Sequence, residues 1–299
     1  MRSLFLVPLA FVIAAPAVAS GQQKVAISRS AAPDVSVRIG GAFSSLRISA
    51  CPHDSVELTG AVGEGSRLEG GPNTFTGPVT GMKFFIQATS DAGLAGNRLE
   101  LKVPRGARVW AKAGSADIEV SGVAGGLDLN IIGGSVRVSG KPRELIVESM
   151  DGSLWFRGYA DYARLKTASG DITMQEGGGE DLTFATVSGA ISASNGERAI
   201  TRARFESVTG PITFAGALTR GADLRFDTHS GAVDLRLSRP TTVNVDAVTV
   251  TGRIENAWSS QRAIAGREGR GMELHTSSAG SSARVSIQSF KGDIRLAPM

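Results

Sequence analysis

The residues best suited to proton transfer near neutral pH are three histidines, His53, His229 and His275, and no two share a local context. A hydrolase needs a nucleophile beside a positioned base. His229 has Ser230 next to it, but four chain segments of the same pattern carry Ala168, Val187, Val208 and Val250 at the place of the histidine. That substitution pattern reads as a tolerant turn position, with Ser230 part of a column of hydroxyls. Paired carboxylates are the other route to acid–base chemistry. Asp171 and Asp293 hold equivalent positions, but Ala190, Pro211, Ala232 and Arg253 fall between them in the repeat. Asp128, Glu148, Glu206, Asp227, Asp234 and Asp246 are spread over outward positions near Arg164, Arg204 and Arg225, which reads as cross-strand charge pairing on a solvated face. The run GGGED at 177–181 resembles a glycine–aspartate calcium repeat, but it occurs once and such repeats work by reiteration, so it is read as a loop. Catalytic residues, metal ligands and cofactors are therefore expected to be none. Cys51 is the single cysteine, expected half-buried in a strand, so no intramolecular disulfide forms.

Aromatic side chains offer binding rather than catalysis. The chain holds 3 Trp and 2 Tyr, and Trp155, Tyr159 and Tyr162 fall within eight residues of one another. Exposed rings stack on sugars or anchor a partner protein. These three are the expected partner- or glycan-binding residues.

What must position such residues is a repeat. Segments such as TASGDITM from Thr167, TVSGAISA from Thr186, SVTGPITF from Ser207 and SFKGDIRL from Ser289 share a glycine at the fourth place. The column is Gly134, Gly152, Gly170, Gly189, Gly210, Gly231, Gly252 and Gly292, and its first seven members lie 18, 18, 19, 21, 21 and 21 residues apart. Apolar residues two and four places after all of these glycines but Gly252, and seven and five places before each, alternate with polar ones. This pattern predicts two inward-facing strands per unit, meeting at a glycine corner. With Ala116 at the glycine place of one further copy, about nine rungs of 18–21 residues are expected. Length variation is confined to one connection, of six to nine residues in most copies and far longer at 257–284. Constant register with one elastic connection predicts an all-β fold, a parallel β-solenoid. The corner glycines are expected to serve either positive φ or close backbone approach, with Ser and Thr hydroxyls bonding between rungs.

Around the repeat, 1–19 reads as a signal peptide: Arg2, an apolar run from Leu4 to Pro16, and Ala17-Val18-Ala19 as the cleavage site. No later stretch is long enough to span a membrane, and no cysteine for lipid attachment comes just after the run. Residues 20–106 alternate as short strands and are expected to form a β-rich capping region. Residues 107–299 are expected to form the solenoid, with 257–284 folded over its far side or last rungs. A net charge of +4 with interspersed signs argues against a nucleic-acid partner, while allowing weak attraction to anionic envelope polymers.

The signal peptide, the β-rich lead-in, the strand-plus-turn LELKVPRGA and the reiterated Thr-x-Ser-Gly-Asp-Ile units resemble a bacterial family of exported, adhesin-like proteins of unknown function. The likeness spans roughly 35–296 and is clearest at Thr167–Thr173 and Ser289–Leu296. It implies a β-solenoid of the cell envelope, periplasmic or surface-exposed, and a role in envelope stress; it transfers no catalytic residue. Gly210-Pro211 and the 257–284 insertion depart from the family pattern. The expected function is a non-enzymatic structural or interaction protein, with an envelope glycan or a membrane protein as partner. The alternatives are an accessory or sensor subunit of an envelope-stress system and a carbohydrate-active enzyme on a β-helix scaffold. The enzyme would draw two or more acidic or basic groups into a concave groove; a protein partner would need an apolar or aromatic patch near Trp155.

Overall fold

The computed structural model describes residues 22–71, 77–238, 242–266, 269–277, 280 and 283–299. The expected signal peptide lies outside these residues. The described chain is almost entirely strand. Each rung is one strand before a glycine corner and one after it, as in Gly178–Thr186 followed by Ile191–Gly196. Strands after the corner stack in one parallel sheet, with Ile172, Ile191, Ile212 and Val233 in register. Strands before it stack in a second parallel sheet, with Ala163, Leu182, Ala203 and Leu224 in register. Alternation then buries every second residue between the two sheets.

That core is continuous along the stack. Phe184, Phe205 and Phe226 form a ladder in the second sheet, with ring centroids 5.2 and 4.8 Å apart. Phe214 meets two of these rings edge-on from the first sheet, at 5.9 and 6.2 Å. Truncating a buried ring of this kind costs about 3–5 kcal/mol.

The glycine corner is governed by close approach. A Cβ on Gly170, Gly189, Gly210, Gly231 or Gly292 would overlap the carbonyl oxygen of the glycine stacked beneath it, Gly152, Gly170, Gly189, Gly210 and Gly231 in turn. Only Gly134, among the eight corner glycines, also has a positive φ, +96°. The hydroxyl three places earlier ties the corner together. Thr167 Oγ1 accepts from the Gly170 N–H at 3.2 Å and donates to the Gly152 carbonyl at 3.2 Å. Asp171 and Asp293, the equivalent carboxylates of the repeat, do a similar job: each accepts from a stacked backbone N–H, of Ala190 and of Arg253, at 2.8 Å.

The stack departs from sequence order at both ends. Among the described residues eleven parallel rungs stack, two more than the repeat count suggests. The extra two come from 31–51 and 79–104, which lack the Thr-x-Ser-Gly corner and so escape the pattern. At a strand spacing of about 4.8 Å the rod is about 50 Å long. Strand Ser45–Cys51 lies between Arg98–Pro104 and Ser115–Ser121, parallel to both. At the other end Ala283–Ser289 lies between Asp223–Thr228 and Val243–Thr249. Each sequence-terminal rung is thus the second in space, covered by the rung that neighbours it in sequence.

Residues 20–106 therefore supply two rungs as well as caps, and neither sheet breaks at 106. Antiparallel strands close the ends. Ser55–Val62 pairs with Arg98–Pro104, and Ser66–Gly70 pairs with Val79–Ala88. The second of these capping strands, Ser66–Gly70, lies in a glycine-rich stretch. A short helix, Asp91–Gly96, was invisible to periodicity because six residues make less than two turns. From the 257–284 insertion, Met272–Thr276 caps Val243–Thr249 in antiparallel pairing. The run 178–181, expected as a loop, opens strand Gly178–Thr186.

His275 secures the last cap. Its Nδ1 lies 2.9 Å from Asp246 Oδ1, and Nε2 lies 3.6 Å from Glu273 Oε2. The Asp246 hydrogen bond raises the imidazole pKa, slight burial works against it, and Glu273 raises it further. A raised folded-state pKa gives stability that is complete below the ordinary histidine value and is lost as pH rises through the folded value. His275→Gln should therefore speed amide exchange in Met272–Thr276 relative to the parent at about pH 5.5, with no difference at about pH 9.

Candidate functional site

The three aromatic residues singled out by the sequence lie on one strand, Ser153–Lys166, which passes from the first sheet to the second. Trp155 stands between Arg137 and Thr173 in the first sheet. Tyr162 stands between Glu144 and Asp181 in the second. Tyr159 sits at the passage beside Gly178, its phenol pKa raised by burial and by nearby Glu180 and Asp161. Close in sequence, Trp155 and Tyr162 thus stand on different sheets.

A different constellation forms one patch. On the outer face of the second sheet, near the N-terminal end, strand 36–41 runs between Val79–Ala88 and Arg108–Ala113. Register sets Gly40 beside Phe85 on one side and Lys112 on the other, with Arg38 between Lys83 and Trp110. Gly40 presents no side chain, so a slot opens there. A Cβ at Gly40 would lie 3.7 Å from a Trp110 ring carbon and 3.8 Å from a Phe85 ring carbon. Phe85 and Trp110 remain 42% and 36% exposed, unusual for rings of this size. The cleft around them has a volume of about 700 Å³, within the range of small-molecule sites.

Its rim is cationic. Arg38, Lys83, Arg108 and Lys112 line the cleft, and among the described residues none of them makes a salt bridge. Further along the same face three arginines are spoken for: Arg164 pairs with Glu148 at 2.5 Å, Arg202 with Asp181 at 3.3 Å and Arg204 with Asp227 at 3.4 Å. Two carboxylates, Asp128 and Glu144, close the far wall. Burial raises the Asp128 pKa, the Asn130 hydrogen bond opposes that shift, and Glu148 and Glu144 add to it.

Alternation within KFF and RVWAK already turns Lys83, Phe85, Arg108, Trp110 and Lys112 outward. The missing information was the insertion of 36–41 between those two strands, which no local signal encodes.

The corner edge carries a second surface. The position two before each glycine is turned out, leaving Ile132, Met150, Val187, Val208, Phe290 and Val250 exposed by 56, 58, 50, 44, 45 and 40%. His229 belongs to this column and stacks on Phe290 at 5.1 Å. The histidines thus lie apart, and no group of three His, Cys, Asp or Glu residues that could hold a metal is found among the described residues. Cys51 is half-buried at a strand end, its thiol donating to the His53 carbonyl at 3.1 Å.

A family model described as Toastrack DUF4097 matches residues 69–297. No curated protein matches the chain. Among solved structures, the crystal structure of a candidate cell adhesion protein from Clostridium sporogenes shares 9% identity over 93% of this chain and 100% of that one, with a TM-score of 0.21. A score that low carries no argument about function. No helix among the described residues is long and apolar enough to cross a membrane.

Proposed function

The chain belongs to the Toastrack DUF4097 family, and on that premise we propose that it is a non-enzymatic, adhesin-like interaction module of the bacterial envelope, exported by its N-terminal leader. The observation that carries this reading is the slot at Gly40, where two exposed rings and four cations without a salt bridge are gathered around one cleft. A rigid rod that concentrates exposed binding groups at one end suits a scaffold that engages a ligand on its side. The groove does gather charged groups, as a carbohydrate-active enzyme would require. We read its two carboxylates, Asp128 and Glu144, as acceptors for ligand hydroxyls; Asp128 already accepts from the Asn130 amide at 2.6 Å.

A second reading, an accessory or sensor subunit docking a membrane protein, is favoured by the exposed apolar ridge running through Val187, Val208 and Phe290. Photo-crosslinking in cells separates the two. A crosslinker replacing Phe85 should capture envelope material, and one replacing Val208 should capture a protein if the ridge docks one. Capture from neither position above the level from Ser192, on the outer face of the first sheet, would reject both.

A further inference from the structure

The composition of the slot names its ligand more closely, provided that the slot is the binding site of the interaction module. The floor is the Gly40 backbone, and the Phe85 and Trp110 rings flank it. An aromatic-walled gap over bare backbone admits a flat or puckered ring that presents C–H groups to the π-faces. The rim offers Arg38, Lys83, Arg108 and Lys112, so the ligand carries negative charge. Asp128 and Glu144 stand on the same cleft wall. A polyphosphate chain, whose charged linkages offer no hydroxyl to donate, would be repelled there. A chain with both acid groups and many hydroxyls is not, because its hydroxyls donate to carboxylates. Backbone pairing on both sides of 36–41 is already complete, so an extended peptide cannot add as a strand.

We propose that the Phe85–Gly40–Trp110 slot binds an acidic sugar unit of an extended anionic glycan, its ring seated between the two aromatics and its carboxylate held by the surrounding cations. The cleft lies open on the side of the rod, so the unit can be internal to a long chain rather than a free end.

The same geometry supplies a variant that blocks the slot and leaves the charge intact. A Cβ at Gly40 makes only ordinary contacts, the closest being 3.5 Å from the Lys112 carbonyl oxygen, and Gly40 is not among the residues with positive φ. Gly40→Val should therefore fold, since a β-branched residue suits a strand, while its methyls fill the gap between the rings.

The test is calorimetric titration of the purified protein with tetragalacturonate, with maltotetraose as the neutral counterpart and a thymidine oligonucleotide as the polyphosphate counterpart. The expected result is binding of the uronate in preference to both, weakened about tenfold by Trp110→Ala or Gly40→Val. Lys83→Gln with Lys112→Gln should weaken it by a similar factor and flatten its salt dependence. Trp155→Ala, on the other sheet, should leave it unchanged. Equal binding of the neutral sugar, tighter binding of the oligonucleotide, or indifference to Gly40→Val in a protein that melts normally would each overturn the proposal. Absence of uronate binding beside protein capture from the Phe85 position in cells would overturn the glycan assignment and leave the interaction-module reading standing.

Discussion

Gly210→Ala should lower stability by about 3 kcal/mol or more and the melting midpoint by about 6–12 °C. The added methyl would overlap the Gly189 carbonyl oxygen and press on that of Ser188 at 3.0 Å. Neither carbonyl can retreat, because Gly189 is itself stacked on Gly170 and the strands on both sides of the corner are held in their sheets. The rungs must part locally, and the Phe184–Phe205 contact between those same two rungs lies just behind. Gly114→Ala is the matched control: nothing lies within 4 Å of its added Cβ, and no positive φ is recorded there. It should shift stability by no more than about 0.5 kcal/mol in either direction. Thermal unfolding followed by circular dichroism reads both. If Gly210→Ala melts within about 2 °C of the parent, close approach is not what reserves the column for glycine.

The rung itself was legible because one physical constraint is written many times. Leu182 and Phe184, then Ile191 and Ala193, repeat at fixed distance from Gly189, and each pair is buried as alternation requires. Why the corner needs glycine was legible only as a choice between positive φ and crowding; the stacked carbonyls decide for crowding. The threading was not legible. Nothing local in SVRIGG states that Arg38 will stand between Lys83 and Trp110, since that neighbourhood depends on which rung docks where. The slot was missed for that reason, and Trp155, Tyr159 and Tyr162 were grouped by sequence distance although the strand carrying them changes sheet midway. Closeness in sequence means closeness in space only within a rung.

Deleting 283–299 should release 243–256 as well, a larger loss than the removal of one end rung. In the first sheet Ile254–Asn256 pairs in parallel only with Ile294–Pro298, and in the second Val243–Thr249 loses its parallel partner and keeps only the antiparallel cap. The freed rung could re-dock directly on 223–237, for it has the same corner, Thr249 and Gly252. Its side chains argue against that. The inserted rung sets Ile287 beside Phe226 and Leu296 beside Leu235. A slipped rung would offer Ala247 and Asn256 at those two places, leaving a void next to the phenylalanine ladder and a polar amide against leucine. An isoleucine-to-alanine exchange in a core costs about 2–5 kcal/mol, and the buried amide adds to it. The same comparison explains why the chain threads backwards: the more apolar rung takes the interior place, and the poorer one, with its Asn256 amide bonded to Ser259 Oγ and the Gln261 carbonyl, takes the end. Hydrogen exchange read by mass spectrometry distinguishes the outcomes. In the truncated chain the amides of Val243–Thr249 should lose protection while those of 163–174 keep theirs. Retained protection at Val243–Thr249 would mean that the rung has re-docked, and that side-chain fit does not set the order of the stack.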